Sequence, residues 1–182
     1  MKWYWIVALC LLAFLLLVVV VGALLPVTHQ AACRIRLRQP ATVLFAALTD
    51  VAAMPKWRSE LKSVTLLDPV GGLPRWREVT SFGPMEIAVE RLVPAQKLVT
   101  RVSVPGGAFG GTWTWRLEPD GDGTLLTVTE NGEVHNVVFR ALSKFVFGHE
   151  TTMRSHLRQL AAKFGEAAVV ERGVPDPAPQ PR

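Results

Sequence analysis

The chain has 182 residues, with 20 Lys plus Arg against 15 Asp plus Glu and a formal net charge of +5. That excess is mild and falls short of the concentrated basic face of a nucleic-acid-binding protein. Only two cysteines occur, Cys10 and Cys33, too few for a disulfide framework or a cysteine-built metal site.

Residues 5–25 read WIVALCLLAFLLLVVVVGALL, without one charged or strongly polar side chain. A helix of about twenty apolar residues crosses a hydrocarbon core of roughly 30 Å with every backbone polar group bonded inside the helix. Trp3, Tyr4 and Trp5 suit an interface, Lys2 precedes the run and Pro26 ends it. A cleaved signal peptide has an apolar region of only about 7–15 residues, so residues 1–28 are expected to form an uncleaved, single-pass membrane anchor. Lys2 and the terminal amine favour an N-terminus in the cytoplasm, while Arg34, Arg36 and Arg38 on the other flank argue the reverse. Those arginines read as part of a folded strand, which places the soluble domain outside the cytoplasm. Lys2 is the only Lys, Arg, Asp or Glu before Arg34, leaving 19 basic against 15 acidic residues, a balance suited to anionic lipid headgroups.

Residues 29–168 are expected to fold as one domain, large enough to bury a substantial core. A first strand spans 32–38. Pro40-Ala41-Thr42-Val43-Leu44-Phe45-Ala46-Ala47-Leu48 has helical spacing with a proline near its start, and Asp50 can cap a second short helix ending before Pro55. Strands follow at 61–67, 75–82, 86–92, 97–104, 112–118 and 124–133, separated by turn chemistry such as Asp68-Pro69-Val70-Gly71-Gly72 and Pro119-Asp120-Gly121-Asp122-Gly123. With no crossover helix between them, these strands are expected to pair antiparallel. Gly106, Gly107, Gly110 and Gly111 lack the lysine and following helix of a phosphate loop and read instead as a mobile hairpin over a cavity mouth. A long helix is expected over 137–164, because Leu142, Val146, His149, Met153, Leu157, Leu160 and Phe164 keep the three-and-four spacing of one apolar stripe. Residues 169–182 end in alternate prolines from Pro175 to Pro181 and are expected to be a disordered, extended tail. The order of elements gives an α+β domain in which a curved antiparallel sheet wraps a C-terminal helix.

The chain resembles the START-like superfamily, also called the polyketide cyclase/dehydrase and lipid transport or SRPBCC group. The resemblance is carried by the Pro40-Ala41-Thr42-Val43 entry, by Leu48-Thr49-Asp50 with Met54-Pro55-Lys56-Trp57-Arg58, and by Trp76-Arg77-Glu78. It continues through Gly111-Thr112-Trp113-Thr114-Trp115, Glu118-Pro119, Gly123-Thr124 and Thr129-Glu130-Asn131-Gly132-Glu133. Order and spacing carry it, since no single motif is specific. It implies the helix-grip fold and a deep, largely apolar cavity between sheet and long helix that holds a lipid, sterol, polyketide or other hydrophobic small molecule. The anchor and the tail lie outside the resemblance.

Strand alternation nominates the cavity walls. Trp76, Glu78, Thr80 and Phe82 share one face, Trp113, Trp115 and Leu117 another, and Leu126, Val128 and Glu130 a third. From these and the helix stripe, Trp76, Glu78, Trp113, Trp115, Glu130, Leu142, Val146, His149 and Met153 are the expected ligand contacts. Glu78, Glu130 and His149 are the acid-base candidates, because an inward carboxylate is costly unless paired or facing a wet cavity. Arg91 and Arg101 are the expected partners for the glutamates. No His-Glu-x-x-His, metal triplet or serine elbow appears, so neither metal nor cofactor is expected. Two classes of function stay open: a membrane-tethered binder, or transfer module, for a hydrophobic small molecule or lipid, and a cyclase/dehydratase-like enzyme using a cavity Glu or His. Nucleic acid is not an expected partner.

Overall fold

The computed structural model describes residues 2–177, except the side chain of Phe147. Helix α1 (Trp3–Leu24) is a 22-residue apolar rod whose mean hydropathy reaches 3.3. A helix apolar on every side has no amphipathic stripe with which to seat itself on a globular core, and residues 2–17 are exposed.

Strand β1 (Thr28–Leu37) follows after three residues, starting four residues before the expected 32–38. Helix α2 (Ala41–Thr49) begins behind Pro40, and a 3₁₀ helix (Val51–Lys56) is capped by Asp50, which accepts from the Ala53 amide at 3.2 Å. Then come β2 (Ser63–Val70), β3 (Leu73–Thr80), β4 (Gly83–Val93), β5 (Lys97–Ser103), β6 (Phe109–Asp120) and β7 (Gly123–Val134). Each overlaps an expected run, but several take in residues expected in the turns: Asp68-Pro69-Val70 ends β2, Gly83-Pro84 opens β4 and Pro119-Asp120 ends β6. With a short strand β8 (Glu171–Arg172) from the tail, the strands pair antiparallel in the order β2-β3-β4-β5-β6-β7-β1-β8. Thus β1 closes against β7, and α2 with the 3₁₀ helix carries the chain to the opposite edge. The glycine-rich hairpin resolves into a 3₁₀ turn (Pro105–Gly107) and the start of β6, where Gly111 has φ 134° and an added Cβ would strike the Asn131 carbonyl.

The continuous helix expected over 137–164 is broken. Helix α3 (Val137–Leu142) passes into a π-helical turn (Ser143–Phe147) that stops at Gly148, and α4 (Thr151–Lys163) restarts beyond it. Gly148 takes φ 72°, ψ 142°, a conformation that ends a helix and that β-carbon-bearing residues rarely adopt. Only the second half of the stripe grips the sheet: Met153, Leu157 and Leu160 are fully buried against Ile35, Leu44, Leu126 and Val128.

The tail also departs from expectation through residue 177, and residues 178–182 lie outside the described part. Strand β8 (Glu171–Arg172) pairs with β1, and Arg34 holds Glu171 at 2.9 Å. Asp176 is buried against the outer side of the sheet, bonded by Lys97 at 3.1 Å, Arg116 at 2.8 Å and, through its backbone, by Thr129 and Gln30. Alternate prolines cost a helix its donors but do not prevent an extended strand from docking by side chains.

Candidate ligand cavity

A cavity of about 260 Å³ lies between the concave face of the sheet and the segment from α3 to α4. It falls just below the roughly 300–1,000 Å³ usual for small-molecule sites. Ile87, Leu98, Trp76, Trp113 and Trp115 supply an apolar wall, each on the inward side of its strand. Trp113 and Trp115, two residues apart on β6, tilt together with centroids 5.6 Å apart.

Of the sequence-nominated contacts, Trp76, Glu78, Trp113, Trp115, Glu130 and His149 line this cavity, while Leu142, Val146 and Met153 do not. The break at Gly148 explains the second group. Val146 is rotated out and 66% exposed, Leu142 is left on α3 beside α1, and Met153 is driven into the solid core.

The polar groups fall into two clusters. In the first, Arg58 reaches from the loop after the 3₁₀ helix, and its Nη1 donates to Glu78 Oε1 at 2.9 Å. The Trp76 indole donates to the same oxygen at 2.9 Å, and Arg58 Nε also holds Glu60 at 2.8 Å. Both members of the Arg58–Glu78 pair are buried. The expected partners Arg91 and Arg101 play no part: Arg91 is exposed, and Arg101 holds Glu90 on the outer surface.

The second cluster joins β1, β7 and the break. His29 and His149 stack at 3.8 Å between centroids, and His29 Nε2 lies 3.9 Å from Glu130 Oε1. Gly132, opposite His29 in register, leaves room for the imidazole, which a β-carbon there would strike. Glu130 keeps 21% of its side chain accessible and is otherwise enclosed. Desolvation pushes its carboxyl up to about 7, against the pull of a hydrogen bond from Trp113 directly opposite on β6. Burial, then His149 and Lys144, depress His29 to about 4, and burial with Lys144 also lowers His149. The cluster therefore sets a carboxyl whose proton affinity burial has raised towards neutrality beside two imidazoles whose proton affinity burial has lowered, a set able to give or take a proton from a bound molecule. Among the described residues, no three His, Cys, Asp or Glu side chains are arranged to hold a metal ion.

Arg58, His29 and His156 were not among the nominated contacts. His156 lies on α4 with its ring 4.8 Å from Trp115, 5.4 Å from Trp57 and 6.0 Å from Trp113. Its Nε2 is buried without a hydrogen-bond partner, and burial beside Arg58 keeps its pKa well below the ordinary value. An apolar side chain of similar bulk avoids that desolvation, so His156→Leu is expected to melt at or above the wild-type temperature. A loss of about 2–5 kcal/mol, the size seen for truncated core residues, would refute this account of the site.

The sheet closing on α4 around an apolar cavity is the helix-grip fold of the START/SRPBCC superfamily. A family model, polyketide cyclase / dehydrase and lipid transport, matches residues 29–165, and the chain belongs to that family. Its fold binds hydrophobic ligands. The Zhui aromatase/cyclase from Streptomyces sp. R1128 is similar in structure at TM-score 0.61 and 14% identity, over 75% of this chain and 93% of that one. A START superfamily protein from Mycobacterium smegmatis is similar at TM-score 0.58 and 19% identity, over 74% and 96%. The di-domain aromatase/cyclase StfQ of the steffimycin biosynthetic pathway matches at TM-score 0.60 and 14% identity over 75% of this chain, which spans only 50% of that protein. At these identities the likeness is one of fold. No curated protein matches the sequence.

Proposed function

We propose that the protein is a single-pass membrane-tethered module that binds a hydrophobic small molecule or lipid in the helix-grip cavity, with its domain outside the cytoplasm. The observation that carries this reading is an aromatic-walled cavity in a domain joined by only three residues to a 22-residue apolar helix. Tethering keeps the cavity beside the phase in which such ligands dissolve and raises their effective concentration. Burial of about 200 Å² of apolar ligand surface contributes about 5 kcal/mol before association costs, enough for a weak, exchangeable complex. The full-length protein should stay with membranes through carbonate extraction. Purified in mild detergent, it should carry a lipid-sized adduct in native mass spectrometry, and hydrophobic probes should quench its tryptophan fluorescence saturably. Release at high pH would sink the tether, and a bare, unquenchable protein would sink the binder.

A cyclase- or dehydratase-like activity is supported by one observation, the Glu130–His29–His149 cluster on the cavity wall. In that reading Glu130 is the acid-base group, and Glu130→Gln abolishes turnover while probe binding survives. Equal turnover by the variant would rule Glu130 out of the chemistry.

A further inference from the structure

The anchor is not loosely strung to the domain. Arg140 of α3 is buried at their junction and spends four donor contacts on backbone carbonyls. Its Nη1 bonds Gly22 at 3.1 Å and Leu25 at 3.0 Å, at the end of α1. Its Nε bonds Val134 at 2.8 Å and its Nη2 bonds His135 at 3.1 Å, where β7 leaves the sheet. These four bonds satisfy carbonyls that a helix end and a strand end otherwise leave open. Gly22 is buried with the Val137 backbone where its β-carbon would be. Val18, Val19 and Val21 of α1 and its C-cap Leu25 are half-buried, at the end of the helix where α3 packs against it.

The strand register places the cavity mouth at this same end. Exposed lining residues mark the mouth, and they are Phe82, Glu133, Gly148 and Thr152. Phe82 lies in the β3–β4 turn; Ser103 pairs with both Glu86 and Gly110, Phe109 with Val134, and Thr28 with Glu133. The β3–β4 turn, the β5–β6 link, the end of β7 and the start of β1 therefore share one end of the sheet, and α1 enters there. Phe145 and Val146 on the π turn and Phe82 stand 68%, 66% and 66% exposed. Together, at the end of the sheet where α1 enters, they offer large apolar side chains to a surface other than water.

We propose that this end of the domain sits in the lipid surface: α3 and the π turn lie against the last turns of α1 at the level of the bilayer interface, with Phe82, Phe145 and Val146 in contact with lipid. This deepens the tethered reading, on which it rests. A 22-residue helix is about 33 Å long and the hydrocarbon core about 30 Å, so an element packed along its last two turns stands at the boundary of that core. Lys144, exposed among these apolar groups, is then placed to reach the headgroups. The ligand exchanges between leaflet and cavity past Phe139, Ser143 and His149, without crossing bulk water.

Nitroxide labels on the full-length protein in phosphatidylcholine/phosphatidylglycerol vesicles test this. Single cysteines replace Val146, Leu12 in α1, or Val70 at the far end of the sheet, in a Cys10→Ser background that leaves only the fully buried Cys33. The Leu12 and Val146 labels should relax several-fold more with dissolved oxygen than with a water-soluble nickel chelate, and the Val70 label the reverse. A Val146 label that behaves like Val70 while Leu12 stays in lipid would overturn the proposal and leave the tether intact. A Leu12 label in water would overturn both.

Discussion

Replacing Glu78 with Gln is expected to destabilise the domain by about 3 kcal/mol, the lower end of what breaking one side of a buried ion pair costs. The carboxylate accepts from Arg58 and from the Trp76 indole on the same oxygen. The amide still accepts one neutral bond, but it leaves the buried guanidinium with Glu60 as its only remaining carboxylate. For a domain of this size such a loss lowers the melting temperature by about 6–12 °C. Substituting both partners with Met removes the unpaired charge together with its counter-charge and should recover most of the loss. A thermal melt of each variant in the same detergent decides it. If Glu78→Gln melts within a degree or two of wild type, the pair is not a structural support and Glu78 returns as an acid-base candidate. If the double variant melts below Glu78→Gln, the pair does more than cancel charge.

The sheet was readable because its signals are local. Gly, Pro or Asp stands in or beside each turn, and each inner face repeats at two residues, so alternation alone puts Trp76, Trp113 and Trp115 on inner faces. The same alternation argues against Arg101 as a partner for Glu78, since its neighbour Thr100 takes the inward side. Arg58 was not readable as that partner: it follows a 3₁₀ helix in a loop, and nothing local announces a pairing 20 residues away. The stripe from Leu142 to Phe164 conceals the break, because a lone glycine within a helical pattern is compatible with a continuing helix. What decides at Gly148 is tertiary: α3 is committed to α1 through Arg140, while α4 is committed to the sheet, and one straight helix cannot serve both. His29 carries no local signal for a related reason. It lies in the polar start of β1, which gains its pairing from β7 and not from its own pattern. The docked tail depends on Asp176 meeting Lys97 and Arg116, a long-range match with no periodicity to betray it.

Glu130→Gln should show a stability change that depends on pH. The Glu130 carboxyl is raised from an ordinary 4.5 to about 7. Between those values the folded protein holds a proton that the unfolded chain has released, so this group makes stability fall as pH rises from 4.5 to 7. His29 is depressed from 6.5 to about 4; there the unfolded chain holds the extra proton, and stability rises with pH over nearly the same window. The two slopes oppose each other in wild type, and His149 and His156, also lowered, add to the rising side. Glutamine keeps the Trp113 bond through its carbonyl and removes only the falling limb. Measured against wild type, the variant should therefore gain progressively from pH 4 to pH 8, by as much as about 3 kcal/mol at 1.36 kcal/mol per unit of pKa, whatever constant offset the substitution adds. Chemical denaturation at pH 4, 6 and 8 gives the difference directly. A difference that stays flat across that range would mean the carboxyl titrates as a solvated one, and it would remove the proton-carrying cluster from the cavity wall. A gain that appears with pH, together with loss of bound probe only above pH 7, would tie the ionisation of Glu130 to what the cavity can hold.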